Sequence, residues 1–244
     1  MSRNGLYACR MCANFEPVLR PERLQQYFGV GPVEGCPPET WPGYAAPFVA
    51  PSADRTQSGV REAFVGRYGL VPSWAKDVNI GRRTYNARSE TVAQLPSFRD
   101  AWRNGQRCVV PLEAFYELNW ESGVGVRWRI QSTDTAPLGV AGLWSQWHAP
   151  DGASVLSFTM LTVNADAHPL MRRFHRPDDE KRMVIILAAA DYDQWLNGRE
   201  GDARSLFRAY PAQLLTAAPA PLPSRKPRRR KDPETGALFT SDSA

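Results

Sequence analysis

Cysteine is scarce in this chain: Cys9, Cys12, Cys36 and Cys108 are the only four in 244 residues, too few for a disulfide framework at this size. Reduced thiols and a cytosolic setting are the expectation. No apolar run approaches the roughly 18–20 residues that span a bilayer, and the opening Met-Ser-Arg-Asn-Gly has no apolar core of a signal peptide. A membrane is therefore not expected as a partner. Histidine is rarer still, and His148, His168 and His175 lack finger-like spacing. The pair Cys9-x-x-Cys12 has no second pair to complete a four-ligand zinc site, and its polar surroundings do not offer the βαβ context of a thioredoxin-like motif. No metal or other cofactor is expected.

Charge of one sign is also in short supply until the end of the chain. The net charge is +5, yet residues 225–244 hold six Lys/Arg against three Asp/Glu, leaving 24 against 22 before them. The run Arg225–Lys231 is either a track for phosphates that reads no sequence or a solvated terminus without a partner.

What is present points to one large, β-rich domain. A chain of 244 residues can bury a substantial core, and 21 Pro against 18 Gly imply many turns around short elements. Pro21 to Phe28 reads as a short helix with Pro in its first turn and Gly29 at its end. Residues 31–51, rich in Pro and Gly, read as an ordered loop. Strands are expected at 63–70, 107–118, 126–132, 138–147, 154–164 and 182–187, rich in Val, Ile, Phe, Trp and Thr. Short helices are expected at 96–104 and 189–197, each followed by Gly. The connections are mostly too short for crossover helices, so neighbouring strands should be antiparallel. The fold class is α+β: a single domain with a curved, barrel-like antiparallel sheet and short flanking helices. Residues 1–10 are a leader or a misassigned start, 11–218 the domain, and 219–244 a basic, loosely packed or disordered tail.

Met11-Cys12 admits two readings. Cys12 is a small buried residue of an N-terminal strand, or removal of an initiator Met makes it residue one of the mature chain. In the second case it carries two nucleophiles on adjacent carbons. An α-amine with a reference pKa of about 7.7–8.0 is substantially neutral at pH 7, unlike Lys at about 10.4. Such an amine adds to an aldehyde as an imine, and the thiol can then close a five-membered thiazolidine.

Three further segments carry polar chemistry. Arg83-Thr-Tyr-Asn-Ala-Arg-Ser-Glu-Thr91 packs amide, guanidinium, hydroxyl and carboxylate groups into one run. Cys108-Val-Val-Pro-Leu-Glu-Ala-Phe-Tyr-Glu117 places a carboxylate at the end of an apolar strand, and Phe174-His-Arg-Pro-Asp-Asp-Glu-Lys-Arg-Met183 puts a His ahead of another.

With Met11-Cys12 and Tyr68-Gly-Leu-Val-Pro-Ser-Trp74, these segments resemble the SOS-response-associated peptidase (SRAP) family from Met11 to about Tyr210. The resemblance implies covalent capture of abasic sites in single-stranded DNA by a monomer without a cofactor. Carried over by motif, Cys12 is the N-terminal nucleophile and Asn86 positions it. Glu117 is the acid/base, and His175 assists proton transfer, with His168 the alternative. Arg88 and Arg182 are expected to bind DNA, Trp74 to stack on or wedge beside bases, and Asn14 to stand where the family has a DNA-binding Arg. His175 lies seven residues before Arg182, where the family pattern leaves only one residue between them. Because the chemistry needs a free Cys12 amine, the resemblance implies a start at Met11, which the unpatterned Ser2–Arg10 stretch favours, or self-cleavage before Cys12. The rival readings are an N-terminal-nucleophile hydrolase in which the Cys12 thiol forms an acyl-enzyme, and a non-catalytic nucleic-acid binder acting through the basic tail.

Overall fold

Residues 13–52, 59–149 and 151–222 are described by a computed structural model. Cys9, Cys12 and the basic run 225–231 lie outside them. Strand β1 (Asn14–Pro17) leads into α1 (Pro21–Phe28), which begins on its Pro and buries Leu24 and Phe28 one turn apart. Gly29, at φ 69°, ends α1 in the left-handed conformation that glycine adopts without steric cost. Strands β2 (Ala45–Pro51) and β3 (Arg61–Tyr68) form an antiparallel pair. The short β4 (Asn86–Arg88) and helix α2 (Arg99–Arg103) precede the long strand β5 (Arg107–Asn119). Then follow β6 (Val126–Ser132), β7 (Leu138–His148) and β8 (Ser154–Asn164), β9 (Arg182–Val184) and β10 (Ile186–Leu187), α3 (Tyr192–Asn197) and α4 (Glu200–Arg204), and last β11 (Leu215–Pro219).

Strands β7, β8, β3, β2 and β5 neighbour one another in that order, and β5 pairs again with β7, closing a five-stranded barrel. Closure joins the two edges that an open five-stranded sheet would expose. The remaining strands are additions to this ring. β6 and β11 extend it beyond β5, while β4 and β9 lie along β8.

β5 is long because it serves two sets of neighbours. Its first half pairs with β7 over Arg107–Leu112 and meets β2 at Val109, whereas its second half pairs with β1 on one side and β6 on the other. Pro111 sits where the partners change, the place in a strand where a missing N–H costs least. The α+β, barrel-like reading therefore holds, and the strands expected at 126–132 and 154–164 have those bounds.

Three expectations are corrected. Within 31–51, expected as loop, residues 45–51 are β2, whose Pro47 and Pro51 disguise it. Its ladder to β5 is a single residue pair, so one edge of β2 has little need of the proline N–H groups. Not every neighbour is antiparallel: β3 and β4 both run parallel to β8. The helix expected at 96–104 is only α2, and 189–197 is a 3₁₀ turn at Ala189–Asp191 leading into α3. Gly198 does not close α3 in a left-handed conformation; its φ of −68° starts the turn into α4.

Candidate active site

The second half of β5 carries Glu117. Along a strand alternate residues share a face, and Phe115, Glu117 and Asn119 are buried on one of them. The loop between β8 and β9 folds across this end. Asn119 bridges to Phe174, and the His175 N–H donates to the Leu118 carbonyl at 2.9 Å. This anchoring holds His175 at φ 66°, a conformation uncommon for a non-glycine residue. The result is a buried contact of 3.3 Å between His175 Nε2 and Glu117 Oε2, an ion pair when the imidazole is protonated, with both side chains 3% exposed. The pair lies in charge contact but outside hydrogen-bond alignment, and neither ring nitrogen has an aligned partner among the described residues. Burial alone would lower the imidazolium pKa; the opposing charge of Glu117 outweighs it and raises His175 above its ordinary value of 6.5.

Asn86 enters from the neighbouring strand. β4 places it opposite Met160 of β8, where its Oδ1 lies 3.4 Å from the hydroxyl of Tyr68. Tyr68 is fully buried and packs edge-on against Phe15 of β1, which pairs with Phe115 of β5. A line of buried contacts thus connects Asn86 to the strand that bears Glu117.

Two residues along β4, the half-exposed Arg88 pairs with Glu180 at 2.8 Å. Glu180 also meets Arg182 at 2.6 Å, so the two arginines share one carboxylate. Arg182 is only 1% exposed, and its guanidinium further donates to Glu90 and to the Thr162 carbonyl, each at 2.8 Å. These bonds hold β9 to β8 and to the turn after β4. The same arginine contacts keep the Glu90 and Glu180 pKa values below the carboxylate norm, against the raising effect of their partial burial.

Asn14 is likewise turned inward. Its amide nitrogen donates to the Thr40 carbonyl at 3.1 Å and its Oδ1 accepts from Arg127 at 2.6 Å. Arg127 also pairs with Glu39 at 2.6 Å and lies over the ring of Tyr116, 3.2 Å from its centroid. Two positions on from Asn14, Glu16 accepts from the Tyr116 hydroxyl and pairs with Arg129 at 2.7 Å. Burial pushes the Glu16 pKa up, but its bonds to Arg129 and Tyr116 bring it below the usual value. Together these groups fix β1 against β5, with Asn14 opposite Tyr116. Sequence reasoning missed Tyr68, Arg127 and Arg129. The period-two spacing of the last two across Trp128 is the signal that places both on one face of β6.

Trp74 stands apart on the loop after β3, 51% exposed, its indole N–H donating to the Pro96 carbonyl at 3.1 Å. This bond leaves the ring held and available. His168 is occupied: Nε2 bonds the Tyr210 carbonyl at 2.7 Å, and Nδ1 accepts from the N–H of Met171 at 2.9 Å. Neither nitrogen is left over for proton transfer. Cys12 lies outside the described residues. Among the described residues no group of three or more His, Cys, Asp and Glu is placed to hold a metal ion, and no helix is long and apolar enough to cross a membrane.

A model of the SOS response associated peptidase (SRAP) family matches residues 11–221. The chain belongs to the SRAP family. Its family relatives include the abasic site processing protein YoqW of Bacillus subtilis, 33% identical over 157 residues covering 62% of this chain and 66% of YoqW. Another is the abasic site processing protein HMCES of Mus musculus, 29% identical over 186 residues covering 63% of this chain and 50% of HMCES. The matches thus span less than two thirds of either relative. A crystal structure of a protein from Bordetella bronchiseptica superposes with a TM-score of 0.80 at 39% identity, over 86% of this chain and all of that one. The SRAP match takes in the Cys12, Asn86, Glu117 and His175 segments alike.

Proposed function

We propose that this SRAP protein captures abasic sites in single-stranded DNA covalently, through Cys12 as the N-terminal residue of the mature chain. The observation that carries the reading is the buried Glu117–His175 pair, 3.3 Å apart, on the half of β5 that pairs with β1. Two relatives whose names describe abasic site processing support the same substrate.

In this reading the Cys12 α-amine attacks the aldehyde carbon of the ring-opened deoxyribose. The carbinolamine hydroxyl takes a proton from the Glu117–His175 pair and leaves as water, and the nitrogen returns its proton to the pair, giving the neutral imine. The Cys12 sulfur then bonds to the imine carbon, and the thiol proton passes to the nitrogen, closing the thiazolidine. Asn86, steadied through Tyr68, orients the nucleophile. Trp74 offers an indole face to bases, and Arg88 offers a guanidinium to phosphate when Glu180 releases it. Asn14 and Arg182, whose polar groups are engaged inside the protein, act on this site by holding β1 and β9 in place.

Intact mass spectrometry tests the reading. A chain beginning at Cys12, incubated with single-stranded DNA containing one abasic site, should gain the oligonucleotide mass less one water. Cys12→Ala should abolish the adduct, and Glu117→Gln should slow it roughly 100-fold or more. A verified Cys12 terminus with no adduct would overturn the proposal in favour of a thiol hydrolase.

A further inference from the structure

A cavity of about 220 Å³ opens beside Trp74, between the loop that follows β3 and the segment around α2, with the end of β7 as its floor. Ser73 on one wall precedes Trp74, and Ser97 on the other follows Pro96, whose carbonyl accepts the indole N–H. That bond ties the two walls together. At this size the cavity lies below the roughly 300–1,000 Å³ of pockets for drug-sized ligands, so it suits one heteroaromatic ring system.

Its lining sets the chemistry. Asn104, Gln106 and Gln146 supply side-chain amides, and of these only Gln146 is hydrogen-bonded to another described residue, donating to Ser154 at 2.8 Å. The charged group in the lining is a carboxylate, Asp100, half-exposed and 3.5 Å from the guanidinium of Arg99. A carboxylate disfavours a phosphate here, whereas amides and a carboxylate read base edges, with Asp accepting from the exocyclic amino group of cytosine. Cations for the backbone stand close by in sequence: Lys76, Arg99 and Arg103 are all exposed. Leu70, also in the lining, lies two residues after Tyr68, whose hydroxyl reaches Asn86. The cavity and the candidate active site are thus served by one stretch of chain.

We infer that this cavity is a second nucleic-acid subsite, taking one unpaired amino-bearing base of the strand whose abasic site is held at Glu117–His175. The inference rests on the single-stranded DNA reading above but not on Cys12 chemistry. Fluorescence anisotropy of the full chain with labelled oligo(dC) and oligo(dT) of equal length, neither bearing an aldehyde, tests it. The wild type should bind oligo(dC) tighter by roughly fivefold or more. Asp100→Ala combined with Asn104→Ala should erase that preference while keeping the affinity for oligo(dT) and the melting temperature. Equal affinities in the wild type, or a preference that survives the double substitution, would overturn the subsite alone. Failure to bind either oligonucleotide would overturn the subsite, and the single-stranded DNA reading falls with it only where the Cys12 adduct also fails to form.

Discussion

His175 keeps its left-handed backbone because the bond to Leu118 and the buried Phe174 hold the loop on both sides. Strain of this kind costs about 1–3 kcal/mol and persists where the surroundings over-determine it. What it secures is an imidazole facing Glu117. Because the folded pKa of His175 is raised above its ordinary value, the pair stabilises the fold below the unfolded pKa, and that stabilisation is lost as pH rises through the folded pKa. Glu117→Gln should therefore lower the His175 pKa in an NMR titration. It should also destabilise the protein more near pH 6 than near pH 9, as read by chemical denaturation. A loss of stability independent of pH would assign Glu117 a packing role instead.

Among the elements, the turn from β3 toward β4 shows why two glycines occur where they do. Gly69 adopts φ 115°, and a Cβ there would run into the backbone of Gly81, while a Cβ on Gly81 would lie 2.8 Å from the Gly69 carbonyl. This close approach lets Leu70 and Thr84 bond backbone to backbone at 3.2 Å, which sets the direction in which β4 delivers Asn86. Gly69→Ala should cost about 2–5 kcal/mol, from strain and overlap together. Gly123→Ala, also at positive φ but with nothing near its Cβ, should cost only about 1–2 kcal/mol. Similar losses in urea denaturation of the two variants would show that the Gly69–Gly81 contact contributes nothing of its own.

At the scale of the whole molecule, the barrel is closed but β6 is not part of it, and its outer edge is covered by β11 over Leu215–Pro219. Arg127 lies on β6, and its carbonyl accepts from the N–H of Ala220 at 2.8 Å. The last described segment thereby reaches the groups that fix β1 against β5. A chain ending at Leu214 should lose on the order of 3 kcal/mol of ladder and side-chain bonding, a fall in Tm of about 6–12 °C. It should also aggregate through the uncovered edge. Calorimetry and light scattering check this, and an unchanged Tm with no association would show that β11 is dispensable.

Sequence periodicity and turn residues made the strong elements legible. Helix α1 and strands β6 and β8 have the bounds their residues imply, and the motif segments for Asn86, Glu117 and His175 were legible before any fold was known. β2 was not, because Pro47 and Pro51 argue against a strand and only a nearly unpaired edge tolerates them. Nor was the three-residue strand β4, whose backbone bonds depend on β8 being alongside, whereas the strand expected at 182–187 is β9 and β10, interrupted at Ile185. The inward roles of Asn14 and Arg182 were hidden as well, since a polar residue reads the same in sequence whether it faces solvent or a buried partner. The amino acids by themselves determined which chemical groups are present and the local shape of each strong element, since both follow from side chains and near neighbours. Barrel closure, the Glu117–His175 contact and the inward turn of the two polar residues were decided only by the tertiary structure, because each depends on partners distant in the chain.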